Sequence, residues 1–241
     1  MIPADPASAR DFPDPRQLIA DTDWGRLEVM VGPEQGCPAV PDLLATLLEG
    51  VPAARARALF DLGAAVHYSN TIVEATAPAL LVVAALLTDP GTDRVALPSL
   101  PYRSSTPSSV RAGLLRLVEG VTGDVDQATE VAGRRHGFPM TAEMLQVRAI
   151  RPVLFPVVHG LLDDLDADVR VAAALAVVPL LEDSTLAPHR AACRERARTI
   201  LSASPDPRDR ALAALPTLTP PLLRNNLFPP VDGGFDDDPP F

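Results

Sequence analysis

The sequence predicts an all-α protein: an α-solenoid of antiparallel helix pairs with one inserted helix. An arginine recurs along the chain with apolar residues three, four and seven positions after it, which is the spacing of one helix face. The segment 76–87 is apolar almost all round, as is typical of a buried helix. Helix pairs that repeat at roughly 40 residues are typical of α-solenoids. The recurring arginines are Arg55, Arg111, Arg170 and Arg208.

The first helix pair is predicted in the segment 52–89. Pro52 suits the first turn of a helix that runs to Val66, because an N–H at that position has no partner within the helix. Thr76 is suited to cap the second helix, which the run 89–91, Asp-Pro-Gly, brings to an end. A short polar turn joins the two helices.

The second pair is predicted to contain an insertion at about 123–141. The inserted helix is expected from Asp124 to about Arg135, with Gly137 ending it. A long helix over 141–162 follows, and its two prolines are expected to kink it. The last predicted helices begin near Arg170, Leu186 and Arg208.

These elements divide the chain into three parts. Residues 1–40 are predicted to be an irregular lead-in that caps the first repeat, with Trp24 plugging its core. Residues 41–215 hold the helical repeats. Residues 216–241 are rich in Pro and Asp and are predicted to be a tail with little structure of its own.

The run 166–175, DADVRVAAAL, resembles the first-helix consensus of HEAT repeats, in which an acidic residue precedes Val-Arg and small residues follow. More narrowly, Trp24, the run 40–44, His67 and the run 74–78 resemble a group of bacterial HEAT-like proteins. In that group the histidine is typically followed by Gln-Gly-Thr and an aromatic residue, where this chain has Tyr-Ser-Asn-Thr. The resemblance covers about residues 20–215 and implies a HEAT-like solenoid. Because the group includes immunity proteins of toxin systems, it also implies a toxin inhibitor.

The chain is acidic, with a formal net charge of −10 and a pI near 4.8, and all 21 of its basic residues are arginine. A nucleic-acid binder needs clustered basic side chains to neutralise phosphates, so no nucleic-acid partner is expected. The acidity favours a cationic protein partner. Alternatively, it only keeps a bacterial cytoplasmic protein soluble.

The longest apolar runs have 11 residues, which is too short to cross a bilayer, and the first residues do not resemble a secretory signal. We therefore expect a cytoplasmic protein with no membrane contact. The two cysteines and four histidines show no metal-ligand spacing, and motifs for phosphate binding or nucleophilic catalysis do not occur. No enzyme activity, cofactor or metal is expected.

Four groups of residues are candidates for partner binding. One is in the polar turn after the first helix, one is an aromatic–cation pair in the long loop 88–109, and two are acidic runs. For the turn and the acidic runs the alternative is purely structural, as turn closure or as carboxylates at helix N-termini. The candidates are Tyr68 and Asn70; Tyr102 and Arg103; Asp163, Asp164 and Asp166; Glu182 and Asp183.

The sequence thus predicts a non-catalytic protein-binding module, with two alternatives. One is an immunity protein that binds and inhibits a single cationic toxin or enzyme domain. The other is a general adaptor or regulatory scaffold with several partners. Partner number and affinity separate them, because an immunity protein forms a tight one-to-one complex that dissociates slowly.

Overall fold

Helices account for most of the residues that the computed structural model describes, which are 12–68, 70–92, 96–97, 109–216 and 218. The predicted all-α class is therefore confirmed. Within these ranges, two short strands form an antiparallel hairpin, β1 (His67–Tyr68) and β2 (Thr71–Ile72). The α-helices are α1 (Pro15–Asp21), α2 (Val40–Glu49), α3 (Pro52–Val66), α4 (Thr76–Thr88), α5 (Val110–Gly123), α6 (Gln127–Arg135), α7 (Ala142–Ala149), α8 (Arg151–Gly160), α9 (Ala167–Leu180), α10 (Arg190–Ser202) and α11 (Pro207–Ala213).

The first predicted helix pair corresponds to α3 and α4, but Thr76 does not cap α4 as expected. Thr76 is the first residue of the helix and is fully buried. Its hydroxyl donates to the Val66 carbonyl at 2.6 Å and accepts the Val73 N–H at 3.0 Å. The side chain therefore joins the end of α3 to the start of α4 instead of satisfying the first turn of its own helix.

The predicted long helix over 141–162 is two helices, α7 and α8, bent by 46° at Ile150. Pro152 has no N–H to donate to the preceding turn, and it occupies the first turn of α8, where none is needed. The inserted helix is α6, which begins three residues later than predicted. Asp126 caps it by accepting the Thr129 N–H at 2.7 Å.

The helices pack through one continuous hydrophobic core. Helix α3 packs against α2 and α5, and α5 packs against α9. Helix α4 packs against α2, α5 and α8. Helix α9 also packs against α10, which in turn packs against α11. The nearly all-apolar α4 is buried along most of its length, as its composition predicts.

The lead-in contains α1 and short 3-10 helices, and Trp24 packs partly buried against the core while its indole N–H donates to the Ile19 carbonyl at 2.8 Å. Leu218 is buried beyond the end of α11. In the part of the chain that the structure describes, no single helix combines the length and apolar character needed to span a membrane; the bent α7–α8 pair passes that test by length and composition.

Candidate protein-binding surface

Helices α3, α5 and α9 place their corresponding ends at the same side of the molecule. We call the residues just before α5, α9 and α11 (109, 163–166 and 204–206) the amino edge. The residues just after α3, α5 and α9 (67–70, 124–126 and 181–183) form the carboxyl edge. A side-chain contact links the turn before α9 to α5 at the amino edge, and another links the residues after α3 and α5 at the carboxyl edge.

At the amino edge, Asp164 joins two helices. Its Oδ2 lies 2.9 Å from Arg111 Nη1 on α5, and the two side chains are only 14% and 12% exposed. Its backbone carbonyl accepts Arg170 Nη1 of α9 at 2.8 Å. Arg170 also donates to the Leu165 carbonyl at 3.0 Å. Arg111 therefore links α5 to the turn before α9, and Arg170 links the same turn to its own helix.

The neighbouring acidic residues differ in the partners of their carboxylates within the protein. Asp166 caps α9 by accepting the Asp168 N–H at 2.8 Å. Asp163 is paired with Arg196 of α10 at 2.5 Å, but both side chains are exposed, at 74% and 48%. Between these carboxylates Leu165 is 85% exposed. The turn therefore presents an apolar tip flanked by exposed carboxylates on a backbone that Arg170 holds in place.

Two open grooves lie near the start of α9. One, of about 440 Å³, is lined by Ser109, Arg111, Val169 and the turn itself, including Leu165. The other, of about 360 Å³, lies between α9, α10 and α11 and also includes Arg116 of α5. A segment of a partner that enters the first groove would contact Leu165.

At the carboxyl edge a second row of contacts joins the same helices. His67 Nε2 lies 2.6 Å from Asp124 Oδ2, so the end of α3 is linked to the end of α5. Glu182 Oε2 accepts the Gln127 N–H at 2.9 Å and lies 3.3 Å from Arg151 Nη1. The His67 ring therefore bridges from the end of α3 to the residue that follows α5.

Arg151, at the start of α8, contacts this edge and is the most buried arginine among the residues that the structure describes. It is 4% exposed, and its Nη2 donates to the Val125 carbonyl at 3.0 Å and the Thr122 carbonyl at 3.3 Å. Burial lowers the pKa of Arg151, with Glu182 opposing the shift. Burial likewise raises the pKa of Glu182, which Arg151 partly offsets. The pair is therefore partly desolvated and links α8 to the end of α9.

The other candidates at the carboxyl edge are more exposed or engaged locally. Tyr68 is exposed, and Asn70 adopts a left-handed backbone with φ of 63° in the turn between the strands. Asp183 accepts the Thr185 N–H at 2.8 Å and so caps the following 3-10 helix. Tyr102 and Arg103 lie outside the described residues.

The candidates therefore do not converge on one site. Asp163, Asp164 and Asp166 lie before α9, whereas Glu182 and Asp183 lie after it, and a helix of 14 residues separates the two groups by about 21 Å. Tyr68 and Asn70 lie at the carboxyl edge with the second group. The bridging roles of His67, Asp124 and Arg151 were missed, because their partners lie tens of residues away in the sequence.

Within the described residues, no group of three or more His, Cys, Asp or Glu side chains is arranged to hold a metal ion. Comparison of the chain with protein families, with curated proteins and with solved structures gives no match.

Proposed function

We propose that the protein is a non-catalytic, HEAT-like solenoid that binds a cationic protein domain through its amino edge. The observation that carries the proposal is the turn 163–166. Leu165 is exposed at its tip, Asp163 is exposed beside it, and both line an open groove. An exposed apolar side chain between carboxylates suits a partner that offers an apolar contact surrounded by basic residues.

The solenoid arrangement is supported by the two rows of contacts between successive turns. The Arg111–Asp164 pair links α5 to α9 at one edge, and the His67–Asp124 pair links α3 to α5 at the other. In a solenoid each repeat contacts mainly its neighbours, so such links between successive repeats are expected.

Within this class we propose an immunity protein that blocks one toxin domain, as the resemblance to bacterial HEAT-like proteins suggests. The net charge of −10 would speed association with a basic toxin by electrostatic steering. The pre-formed backbone of the turn would limit the entropy lost on binding and so slow dissociation. A general adaptor with several weaker partners is the second candidate.

The test is affinity purification of the tagged protein from its source cells, compared with two surface variants. Leu165→Ser with Asp163→Asn alters the amino edge, and Tyr68→Ser is the matched control at the carboxyl edge. We expect one stoichiometric basic partner that is lost with the first variant and retained with the control. Loss in the control alone would contradict the amino edge as the binding surface, and several substoichiometric partners would favour the adaptor.

A further inference from the structure

In the inserted hairpin (residues 127–149, α6 and α7), α7 packs on the core through the buried Val147, whereas α6 lies outside the core. None of the residues of α6 is buried. Polar contacts hold this helix. The Arg148 guanidinium of α7 donates to the Val125 carbonyl at 2.6 Å, the Asp126 carbonyl at 2.9 Å and Glu130 Oε2 at 2.6 Å, and Glu182 Oε2 accepts the Gln127 N–H. A helix with no buried residue leaves much of its surface available for another contact.

That surface carries large apolar side chains. Phe138 is 74% exposed, and Val131 and Leu145 are exposed as well. Phe138 is fixed at the end of α6 by the backbone: its N–H donates to the Gly133 carbonyl at 2.8 Å, across Gly137, which adopts a left-handed φ of 81°. The ring is therefore presented by an ordered helix end. Exposed apolar side chains concentrated in one small element are typical of an interaction surface.

The same helix end is cationic. Arg134, Arg135 and His136 are consecutive and exposed. Arg134 is paired with Glu130, whereas the side chains of Arg135 and His136 make no hydrogen bond or ion pair with the rest of the described chain. In a protein of net charge −10, this is a local basic surface beside an exposed aromatic ring. An acidic segment with an aromatic residue is complementary to it.

We propose that the acidic-aromatic segment 235–238 of this same chain, Phe-Asp-Asp-Asp, binds the inserted hairpin. The three aspartates would face Arg134 and Arg135, and Phe235 would pack against Phe138. The inference does not depend on the identity of any external partner. The bound segment would cover the exposed surface of the hairpin, which is distinct from the amino edge.

The chain is long enough to make this contact. Leu218 is the last described residue, and residues 218–235 can span about 60 Å when extended. The packing path from α11 through α10, α9 and α8 to α7 has four steps of 8–10 Å, about 40 Å in total. Because the segment is tethered, it binds intramolecularly, and a weaker intrinsic affinity is enough to occupy the surface than a separate peptide would need.

Hydrogen exchange in the full-length chain tests the proposal. The variant Phe235→Ser with Asp236→Asn, Asp237→Asn and Asp238→Asn should exchange at least threefold faster in residues 127–149 than the unaltered protein. Raising the salt to 0.5 M should increase exchange of the unaltered protein in the same peptides, since screening weakens the ionic contacts. The matched control removes three charges elsewhere, with Asp21→Asn, Asp23→Asn and Glu34→Gln, and should leave the hairpin unchanged.

A second measurement locates the segment directly. A nitroxide attached at Pro240→Cys should broaden the amide signals of α6 and α7, and Arg134→Ala with Arg135→Ala and Phe138→Ser should abolish that broadening. The proposal would be overturned if the nitroxide broadened only the arginines of α10 or no described residue. Equal hydrogen exchange of residues 127–149 in the tail variant and the control would also overturn it.

Discussion

Asp164 and Arg111 form a largely buried ion pair, 2.9 Å between Oδ2 and Nη1, that joins the turn before α9 to the start of α5. The adjacent Asp163 forms a shorter pair with Arg196, at 2.5 Å, in which both side chains are exposed. Two consecutive carboxylates thus have similar partners but different surroundings. Ion pairs in water are weak, whereas breaking a desolvated pair leaves its remaining charge poorly solvated.

Asp164→Asn is therefore expected to lower the free energy of unfolding by about 2 kcal/mol, because the Arg111 guanidinium loses this carboxylate. Asp163→Asn is the matched control and should cost about 0.5 kcal/mol or less. Urea denaturation of both variants measures the difference. Equal losses would contradict a structural role specific to Asp164.

Arg55 is expected to be the most important of the recurring arginines for stability. It is buried, and its guanidinium donates to the carbonyls of Leu48 at 2.7 Å, Gly50 at 2.6 Å and Gly91 at 3.0 Å. Arg55→Met keeps the apolar stem but leaves three carbonyls without this donor, so we expect a loss of about 3 kcal/mol. The exposed Arg26 provides the control, and Arg26→Met should change the free energy of unfolding by less than about 0.5 kcal/mol. If Arg55→Met lowers the free energy of unfolding only slightly, water has replaced the guanidinium as the donor to these carbonyls.

Helical periodicity predicted the helices well, but it assigned the wrong residue of the last helix, Arg208, as the recurring arginine. Arg170 donates to the carbonyls six and five residues before it, and Arg210 does the same with Ser204 and Pro205 at 2.7 Å each. Arg210, not Arg208, therefore corresponds to Arg170. Apolar spacing did not distinguish the two arginines, because residues 211–215 are all Ala or Leu and place apolar side chains three and four positions after either one, whereas the carbonyl contacts depend on the fold of the preceding turn.

The acidic runs show that a high density of carboxylates in the sequence does not predict which of them stay exposed in the fold. The sequence places Asp163, Asp164 and Asp166 in one patch, but the fold uses Asp164 as a bridge and Asp166 as a cap, leaving Asp163 exposed. Cap positions follow from local spacing and were foreseen as an alternative. The bridge depends on a partner 53 residues away, which no local pattern specifies.

The Arg151–Glu182 pair is expected to respond asymmetrically to substitution. Because burial raises the pKa of Glu182, folding disfavours its ionised form, and Arg151 also keeps favourable interactions with the charges of Asp126 and Asp183 when Glu182 is replaced. Glu182→Gln should therefore change the free energy of unfolding by less than about 1 kcal/mol. The amide oxygen can still accept the Gln127 N–H. Arg151→Met should cost about 3 kcal/mol, since it removes the donor to two buried carbonyls and leaves Glu182 without this cation.

The double variant Arg151→Met with Glu182→Gln separates the two contributions of Arg151. Neutralising Glu182 should recover part of the loss, about 1 kcal/mol, because the uncompensated carboxylate is gone while the carbonyls still lack their donor. Urea denaturation of the two single variants and the double variant gives the coupling energy. Additive losses would contradict a significant electrostatic interaction within the pair.

His159 is expected to make the protein less stable as the pH falls from 7.5 to 5.5. Its ring lies 5.3 Å from that of Phe155, and although the residue is exposed at the surface, partial desolvation of the ring lowers its pKa, with His189 adding to the shift and Asp163 opposing it. The unfolded chain, with a histidine pKa near 6.5, therefore binds this proton at higher pH than the folded protein. The contribution of His159 to the free energy of unfolding is therefore present above about pH 6.5 and is lost as the pH falls below about 6.5. His159→Gln should reduce the loss of unfolding free energy between pH 7.5 and 5.5 in urea titrations at constant ionic strength; an identical loss in both proteins would exclude His159 as its source.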